Sequence, residues 1–332
     1  MQPASIIVPT RERLAYLEVA LGSIVPEAAR VGAEVIVVDD AGPSTAAREL
    51  VARCGARYEP NSRPLGLNVA RNTGVERSHG ELVVFVDDDV RTRPGWLQAL
   101  LDAAAANPEV DVFTGPISAR LEGPAPRSCG REAPPITTLE LGENDTDTRF
   151  AWGSNMAIRR SALERVGPFD VTLEHGGDEQ EWQERLHAQT PGARVLYVAG
   201  AALEHRRAGD DARLRQLCRG AYVRGRAARR FDARRGVALT AAHELLTLAG
   251  SLGHVIRYRC PAGLTMAAHS AGRLRECLRE RRAPSTPAGA SVAPAASEDD
   301  FLSGTSGTVG GLDALRRGAL DEAVDSWELL SG

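Results

Sequence analysis

Three carboxylates, Asp87, Asp88 and Asp89, follow directly on the apolar, near-continuously aliphatic run Val83-Val84-Phe85-Val86. Clustered at the end of a buried strand they repel one another unless a cation neutralises them, and oxygen ligands of this kind suit Mg2+ or Mn2+ shared with substrate phosphates. The metal-free alternative is an acidic turn in which Asp89 caps a helix starting near Gly95. Asp39-Asp40 closes another aliphatic run, Val35 to Val38, two residues before Gly42. A carboxylate there can accept hydrogen bonds from a ribose hydroxyl or a base N–H, or form an ordinary Asp-x-Gly turn. In Gly176-Gly177-Asp178-Glu179-Gln180-Glu181-Trp182, a flexible diglycine delivers carboxylates to the start of a helix. They suit a general base that deprotonates an acceptor hydroxyl, or plain helix capping through the dipole. His205, in Leu203-Glu204-His205-Arg206-Arg207, offers an imidazole that can complete a metal's coordination shell, though a lone histidine is more often a surface or core residue.

These groups need a scaffold that brings strand ends together. The first 120 residues alternate short β-branched runs with helical patterns, as βαβ units of a mostly parallel sheet do. Strands are expected at Ile6 to Val8, Val35 to Val38 and Leu82 to Val86, with helices at Arg13 to Ile24, Ser44 to Arg53, Leu67 to Ser78 and Gly95 to Ala106. Thr10, Asp39-Asp40 and Asp87-Asp88-Asp89 then lie at strand ends, where open α/β sheets bind ligands. A Pro-, Gly- and Thr-rich stretch from Leu121 to Thr148 reads as a long surface excursion near the site. A strand over Trp152 to Ile158, short helices near Ser161 and from Asp178, and a strand over Arg194 to Val198 complete the catalytic part. The expected organisation is a catalytic domain over 1–210, an arginine-rich helical extension over 211–282, a disordered Pro/Ala/Ser linker over 283–299 and an acidic tail over 300–332.

Composition removes several function classes. All 40 Lys+Arg residues are arginine, which excludes Schiff-base chemistry and a Walker lysine. Between Arg206 and Arg282 there are 18 Arg against 6 acidic residues, whereas Ala283 to Gly332 holds 2 Arg against 8 acidic residues. The basic stretch suits either contact with the acidic tail or an anionic membrane surface. It lacks the interleaved aromatics that would favour nucleic acid. Val237 to Ile256 reads as an amphipathic helix rather than a membrane span, because it carries His243, Glu244 and His254. The five cysteines are scattered and form no CxxC pair, so neither a disulfide framework nor a zinc site is expected. No signal-like segment precedes the first strand, which gives the expectation of a cytoplasmic protein, peripheral at most to the inner face of the membrane.

In combination these features resemble the family 2 glycosyltransferases. The matching residues are Ile6-Ile7-Val8-Pro9-Thr10-Arg11, Val35 to Asp40, Asn61, Ala70-Arg71-Asn72-Thr73-Gly74 and Gly80 to Asp89. Further matches are Gly153-Ser154-Asn155-Met156-Ala157-Ile158-Arg159-Arg160, Val166-Gly167-Pro168-Phe169-Asp170, the Gly-Gly-Asp-Glu run and His205. The resemblance spans roughly residues 4 to 210. It implies an α/β fold of the GT-A nucleotide-sugar-binding type, with a mixed, mostly parallel central sheet and, here, a C-terminal helical extension. It implies a nucleotide pocket of Pro9, Thr10, Asp40 and Arg71, with Asp40 reading the base, Asp88 facing the ribose and Arg11, Asn155 and Trp182 among the substrate contacts. Asp87 and Asp89 match the DxD metal motif, and His205 matches a position that in some relatives contacts the metal or the diphosphate. Mg2+ or Mn2+ is the implied cofactor, and a UDP-, dTDP- or GDP-linked sugar the implied donor. The family usually has Glu-Asp where this chain has Asp178-Glu179, which leaves either carboxylate as the base for an inverting hexosyl or deoxyhexosyl transfer. The acceptor is not legible.

Two other readings start from the same residues. A phosphatase of the haloacid dehalogenase type also opens on strand-Asp-x-Asp, but Arg91 stands where its Thr or Val belongs and the chain lacks its lysine. The other is a catalytically idle nucleotide-sugar-binding module, against which the full acidic set and His205 speak. A nicotinamide-dependent dehydrogenase is excluded, because no GxGxxG follows the first strand.

Overall fold

The computed structural model describes residues 2–173, 177–237 and 240–280. The expected linker and acidic tail lie outside the described residues, as does Gly176. The elements in chain order are β1 (Ala4–Thr10), α1 (Leu14–Val31), β2 (Glu34–Asp39), α2 (Thr45–Cys54), β3 (Arg57–Pro60), α3 (Leu67–Arg77), β4 (Leu82–Phe85), β5 (Val90–Thr92), α4 (Trp96–Ala106), β6 (Val112–Thr114), β7 (Ile117–Glu122) and β8 (Thr146–Thr148). They continue with β9 (Met156–Arg159), α5 (Arg160–Val166), α6 (Asp178–Gln189), β10 (Val195–Tyr197), β11 (Leu203–Ala208), α7 (Leu214–Arg234), α8 (Ala241–Arg257) and α9 (Leu264–Glu280). Two compact units result, one of Met1–Arg120 with Thr137–Arg206, the other of Leu121–Ile136 with the chain from Arg207 onward. The expected excursion from Leu121 is therefore shared between them.

The first unit is the expected α/β fold. Its eight-stranded sheet has the order β3-β2-β1-β4-β9-β6-β10-β8. Strands β3, β2, β1 and β4 run parallel, and β9 enters antiparallel between β4 and β6. The near-continuous aliphatic runs arise because both faces are covered. With period 2, Ile6, Val8, Val35, Val37 and Val84 face one core with Leu17, Leu21 and Ile24 of α1 and Trp96, Leu97 and Leu100 of α4. Ile7, Ile36, Val38, Val83 and Phe85 face the other core with Leu163 of α5 and Trp182 and Leu186 of α6. Each such side chain, fully buried, contributes roughly 1.5–3 kcal/mol.

Some elements depart from the sequence expectation for visible reasons. Helix α1 runs past Ile24 and through Pro26 to Val31. Its last turns are anchored by buried Ala28 and by Glu27, whose carboxylate accepts from the Gly95 N–H at 2.9 Å, and Gly32 closes the helix in the left-handed conformation. The expected strand from Trp152 begins only at Met156, because Trp152 to Asn155 form a turn closed by the Asn155 N–H on the Trp152 carbonyl at 2.8 Å. A second sheet of order β5-β11-β7, built from short strands, was not legible.

In the second unit α7 and α9 cross closely, where Gly225 meets the His269 backbone and Gly272 meets the Tyr222 carbonyl with no room for a Cβ. Several arginines of the basic stretch are spent inside this unit. Arg273 pairs with Glu244 at 2.8 Å and Asp232 at 2.8 Å, Arg229 with Glu280 at 2.7 Å and Arg226 with Glu276 at 2.8 Å. No helix among the described residues is long and apolar enough to cross a membrane.

Candidate active site

The acidic strand end is assembled from three segments of the first unit. Beyond β4 the chain turns through Asp88 and Asp89 into β5, and β11 pairs antiparallel with β5, His205 opposite Val90. The Arg206 N–H donates to the Asp89 carbonyl at 2.8 Å, which sets His205 beside Asp89. His205 Nε2 stands 3.2 Å from Asp89 Oδ1, and the imidazole's other nitrogen, Nδ1, lies 3.2 Å from the Thr137 carbonyl. A carbonyl only accepts, so Nδ1 is the donor in that contact and Nε2 is the nitrogen presented to the carboxylate. One ligand atom each from Asp87, Asp89 and His205 lies within 4.8 Å of the others, Asp89 and His205 buried and Asp87 half-buried. Two carboxylates and an imidazole form a donor set that fits a divalent cation of the Mg2+ or Mn2+ kind.

Asp88 has a different environment. The Thr10 hydroxyl donates to its Oδ2 at 2.7 Å and Arg13 to its Oδ1 at 2.7 Å, while Arg13 also reaches Asp89 Oδ2 at 2.8 Å. Burial pushes the Asp88 carboxyl up to about 7, Arg13 works against that shift, and Asp89 adds to it. Arg13 was missed in the sequence. It is turned back towards the strand end where Glu12 takes a left-handed φ of 55° and the Arg13 guanidinium lies over the Tyr16 ring at 4.2 Å. Its signal was a cation three residues beyond a strand that neighbours the acidic one.

The second group centres on buried Arg71, which pairs with Asp178 in the first turn of α6. Burial alone would raise the Asp178 carboxyl, but the Arg71 charge and the hydrogen bonds from Glu179, the backbone and Arg71 together hold it below its usual range. Glu179 behaves oppositely: burial first, then the Asp178 charge, push it up to about 8 against the pull of Arg71. Glu179 Oε1 accepts from the Gly153 N–H at the long distance of 3.5 Å. A Cβ at Gly153 would overlap the Arg71 guanidinium, so that position needs glycine for close approach. Asp87 also raises the Arg71 pKa, which ties the two carboxylate groups electrostatically.

The remaining candidates fall into two sets. Pro9 and Thr10 end β1, Pro9 half-buried and Thr10 buried, and Arg11 beyond them is exposed. Asp40 is buried and accepts from Asn61 Nδ2 at 2.8 Å, the Leu65 N–H at 2.9 Å and the Gly66 N–H at 3.0 Å, which shapes the loop into α3. Asn155 and Trp182, expected at the substrate, are both buried and hydrogen-bonded within the first unit. Asn155 accepts from Trp96 Nε1 and donates to the Ala201 carbonyl, both at 2.9 Å. Trp182 is fully buried, donates to the Gly167 carbonyl at 2.8 Å and packs on Phe169 with ring centroids 5.8 Å apart. Trp182 falls on the core face of α6. The motif pieces around Arg71 and Phe169 also join, Asn72 and Phe169 exchanging two hydrogen bonds of 2.9 Å.

Known proteins resemble this chain over part of its length. Residues 5–167 match the family model "Glycosyl transferase family 2". The chain is 26% identical over 155 residues to a glucosyl-dolichyl phosphate glucuronosyltransferase of Haloferax volcanii, covering 44% of this chain and 49% of the relative. It is 29% identical over 212 residues to the pre-mycofactocin glycosyltransferase of Mycobacterium tuberculosis, covering 61% of this chain and 43% of the relative. The chain thus spans about half the length of these curated relatives. Among solved structures, a mannosyltransferase from Pyrobaculum calidifontis in complex with GDP-mannose and Mn2+ aligns with a TM-score of 0.49 and 17% identity, over 86% of this chain and 76% of that one. Residues 5–167 are thus similar to the family 2 glycosyltransferases, and the curated relatives that the chain resembles are glycosyltransferases.

Proposed function

We propose that this protein transfers a hexosyl or deoxyhexosyl group from a nucleotide-diphosphate donor to an acceptor hydroxyl with inversion at the anomeric carbon. The observation that carries the reading is the cluster of Asp87, Asp89 and His205, with His205 Nε2 aimed at Asp89. These three residues would hold Mg2+ or Mn2+, which neutralises the departing nucleotide diphosphate when bound. Asp88 and Arg13 fix the orientation of the strand end. Pro9, Thr10, Arg11, Asp40 and Arg71 are the proposed donor-binding set, and Asp40 has acceptor capacity beyond its three hydrogen bonds for a base N–H.

Of the two candidate bases, the environment favours Glu179. Asp178 is committed to Arg71, whereas Glu179 has a raised pKa that matches proton abstraction near neutral pH. Glu179 takes the proton of the acceptor hydroxyl as its oxygen bonds to the anomeric carbon and the bond to the diphosphate breaks on the opposite face. Incubating the protein with UDP-, dTDP- and GDP-sugars plus Mn2+ and following nucleotide diphosphate release tests the reading. Release from one donor class, abolished by EDTA, supports it, and release from none argues for the idle module.

A contact with a membrane surface through residues 211–282 is supported by α8, which exposes Leu245, Leu246, Leu252 and Ile256 within the basic stretch. Co-flotation with anionic liposomes at low salt is the expected result, and failure to float would remove it.

A further inference from the structure

Within the second unit, four potential metal ligands converge from segments far apart in sequence. Cys129 and Glu132 lie in the irregular segment that follows β7, His254 in the last turn of α8, and Cys260 at the turn leading to α9. One ligand atom of each lies within 4.8 Å of all the others. Cys129 Sγ is 3.1 Å from Glu132 Oε2 and 3.5 Å from His254 Nε2, and Cys260 Sγ is 3.5 Å from the same Glu132 oxygen. With metal–sulfur bonds of about 2.3 Å and metal–nitrogen or –oxygen bonds of about 2.0–2.2 Å, a tetrahedral centre holds its ligand atoms roughly 3.3–3.8 Å apart. These side chains already stand close to that spacing.

We propose that Cys129, Glu132, His254 and Cys260 form a four-coordinate structural zinc site that fastens the 123–136 segment to the end of α8 and the turn before α9. The donor chemistry selects the ion: two sulfurs and an imidazole favour zinc over Mg2+ or Mn2+, and four protein ligands fill a tetrahedron and leave no position for substrate. On binding, the two thiol protons pass to solvent and the thiolates, the carboxylate and the neutral imidazole remain as ligands.

The backbone is arranged to present these groups. Gly130, at φ 76°, turns the chain between Cys129 and Glu132, and Arg259, at φ 46°, turns it just before Cys260. The Cys260 N–H returns to the Val255 carbonyl at 3.1 Å, and the Ala262 N–H holds the Arg127 carbonyl at 3.1 Å. Arg131 lies over the Tyr258 ring at 4.8 Å, and that ring packs on His254 with centroids 4.9 Å apart. Segment 123–136 contains no regular element of its own, so a metal staple supplies the ordering that a helix or strand would otherwise provide. The missing CxxC argued against zinc in the sequence because close pairs are the usual signature, whereas here the nearest ligands are three residues apart and the rest are supplied by the helices.

The test is the metal content of the full chain purified without chelator, measured on the wild type, on Asp89→Ala and on the double variant Cys129→Ser/Cys260→Ser. About one zinc per chain is expected in the first two and roughly a tenth of that or less in the third. Asp89→Ala separates this site from the carboxylate cluster. Cobalt substitution of the wild type is expected to show thiolate-to-cobalt charge transfer with the visible bands of tetrahedral Co2+, a readout that does not depend on the double variant folding. Absence of both zinc and the thiolate–cobalt band from the wild type would overturn the proposal. So would unchanged zinc in the double variant, or a Cys129–Cys260 disulfide in place of metal.

Discussion

His205 Nε2 faces Asp89 Oδ1 across 3.2 Å, while its Nδ1 is turned to the backbone carbonyl of Thr137. The carbonyl takes the Nδ1–H, which leaves Nε2 as the nitrogen presented to the carboxylate. With Nε2 unprotonated, that nitrogen and the Asp89 carboxylate can serve together as ligands of one divalent cation. His205→Ala is expected to weaken Mn2+ affinity by about 10–100-fold. Titration of Mn2+ against donor turnover checks this, with activity recovering at high metal concentration.

Replacing Glu179 by Gln removes the proposed proton acceptor while keeping shape. The expected result is a fall in kcat of about 10²–10⁴-fold with donor affinity nearly unchanged. Asp178→Asn acts differently, because it leaves the buried Arg71 charge without its partner. It is expected to destabilise the fold by about 3–5 kcal/mol, read as a lowered midpoint in urea unfolding.

The raised pKa of Glu179 sets the pH dependence. The carboxyl must lose its proton to act as base, so kcat/KM is expected to climb with pH and level off above about 8, the limb vanishing in Glu179→Gln. Stability moves the other way. The unfolded chain releases this proton at the ordinary glutamate value while the folded protein keeps it to about 8, so the contribution present at low pH is lost as pH rises across that window.

Gly153→Ala probes the packing that holds Arg71. The added methyl meets the buried guanidinium, which must shift away from Asp178. A stability loss of about 1–3 kcal/mol is expected, together with a drop in kcat larger than any change in donor binding. Equal activity in this variant would show that the Arg71 position is not tightly constrained.

Trp182→Phe separates the core from the substrate. The indole is fully buried against Phe169, so the variant is expected to lose stability and its bond to Gly167 without altering KM for donor or acceptor. A specific rise in acceptor KM would return Trp182 to the site.

The sequence was most readable where a single local pattern decides the outcome. Ile6 to Val8 and Leu82 to Val86 read as strands buried on both faces because each is apolar at every position, and the acidic triplet marks the strand end by itself. Relationships across long separations were not readable. The Thr137 carbonyl that orients His205, the Arg71–Asp178 pair and the turn of Arg13 onto Asp88 and Asp89 depend on how segments meet. Local rules also misled where tertiary anchoring overrides them, as when α1 continues through Pro26 because Glu27 and Ala28 are held by the fold.

The most direct test of the central claim is calorimetric titration of UDP, dTDP and GDP into the wild type and Asp89→Ala, each with Mn2+ and with EDTA. The account predicts that one nucleotide binds the wild type only when Mn2+ is present, and that Asp89→Ala loses most of that affinity. Binding of none of the three under any condition, or metal-dependent binding unchanged in Asp89→Ala, would contradict it.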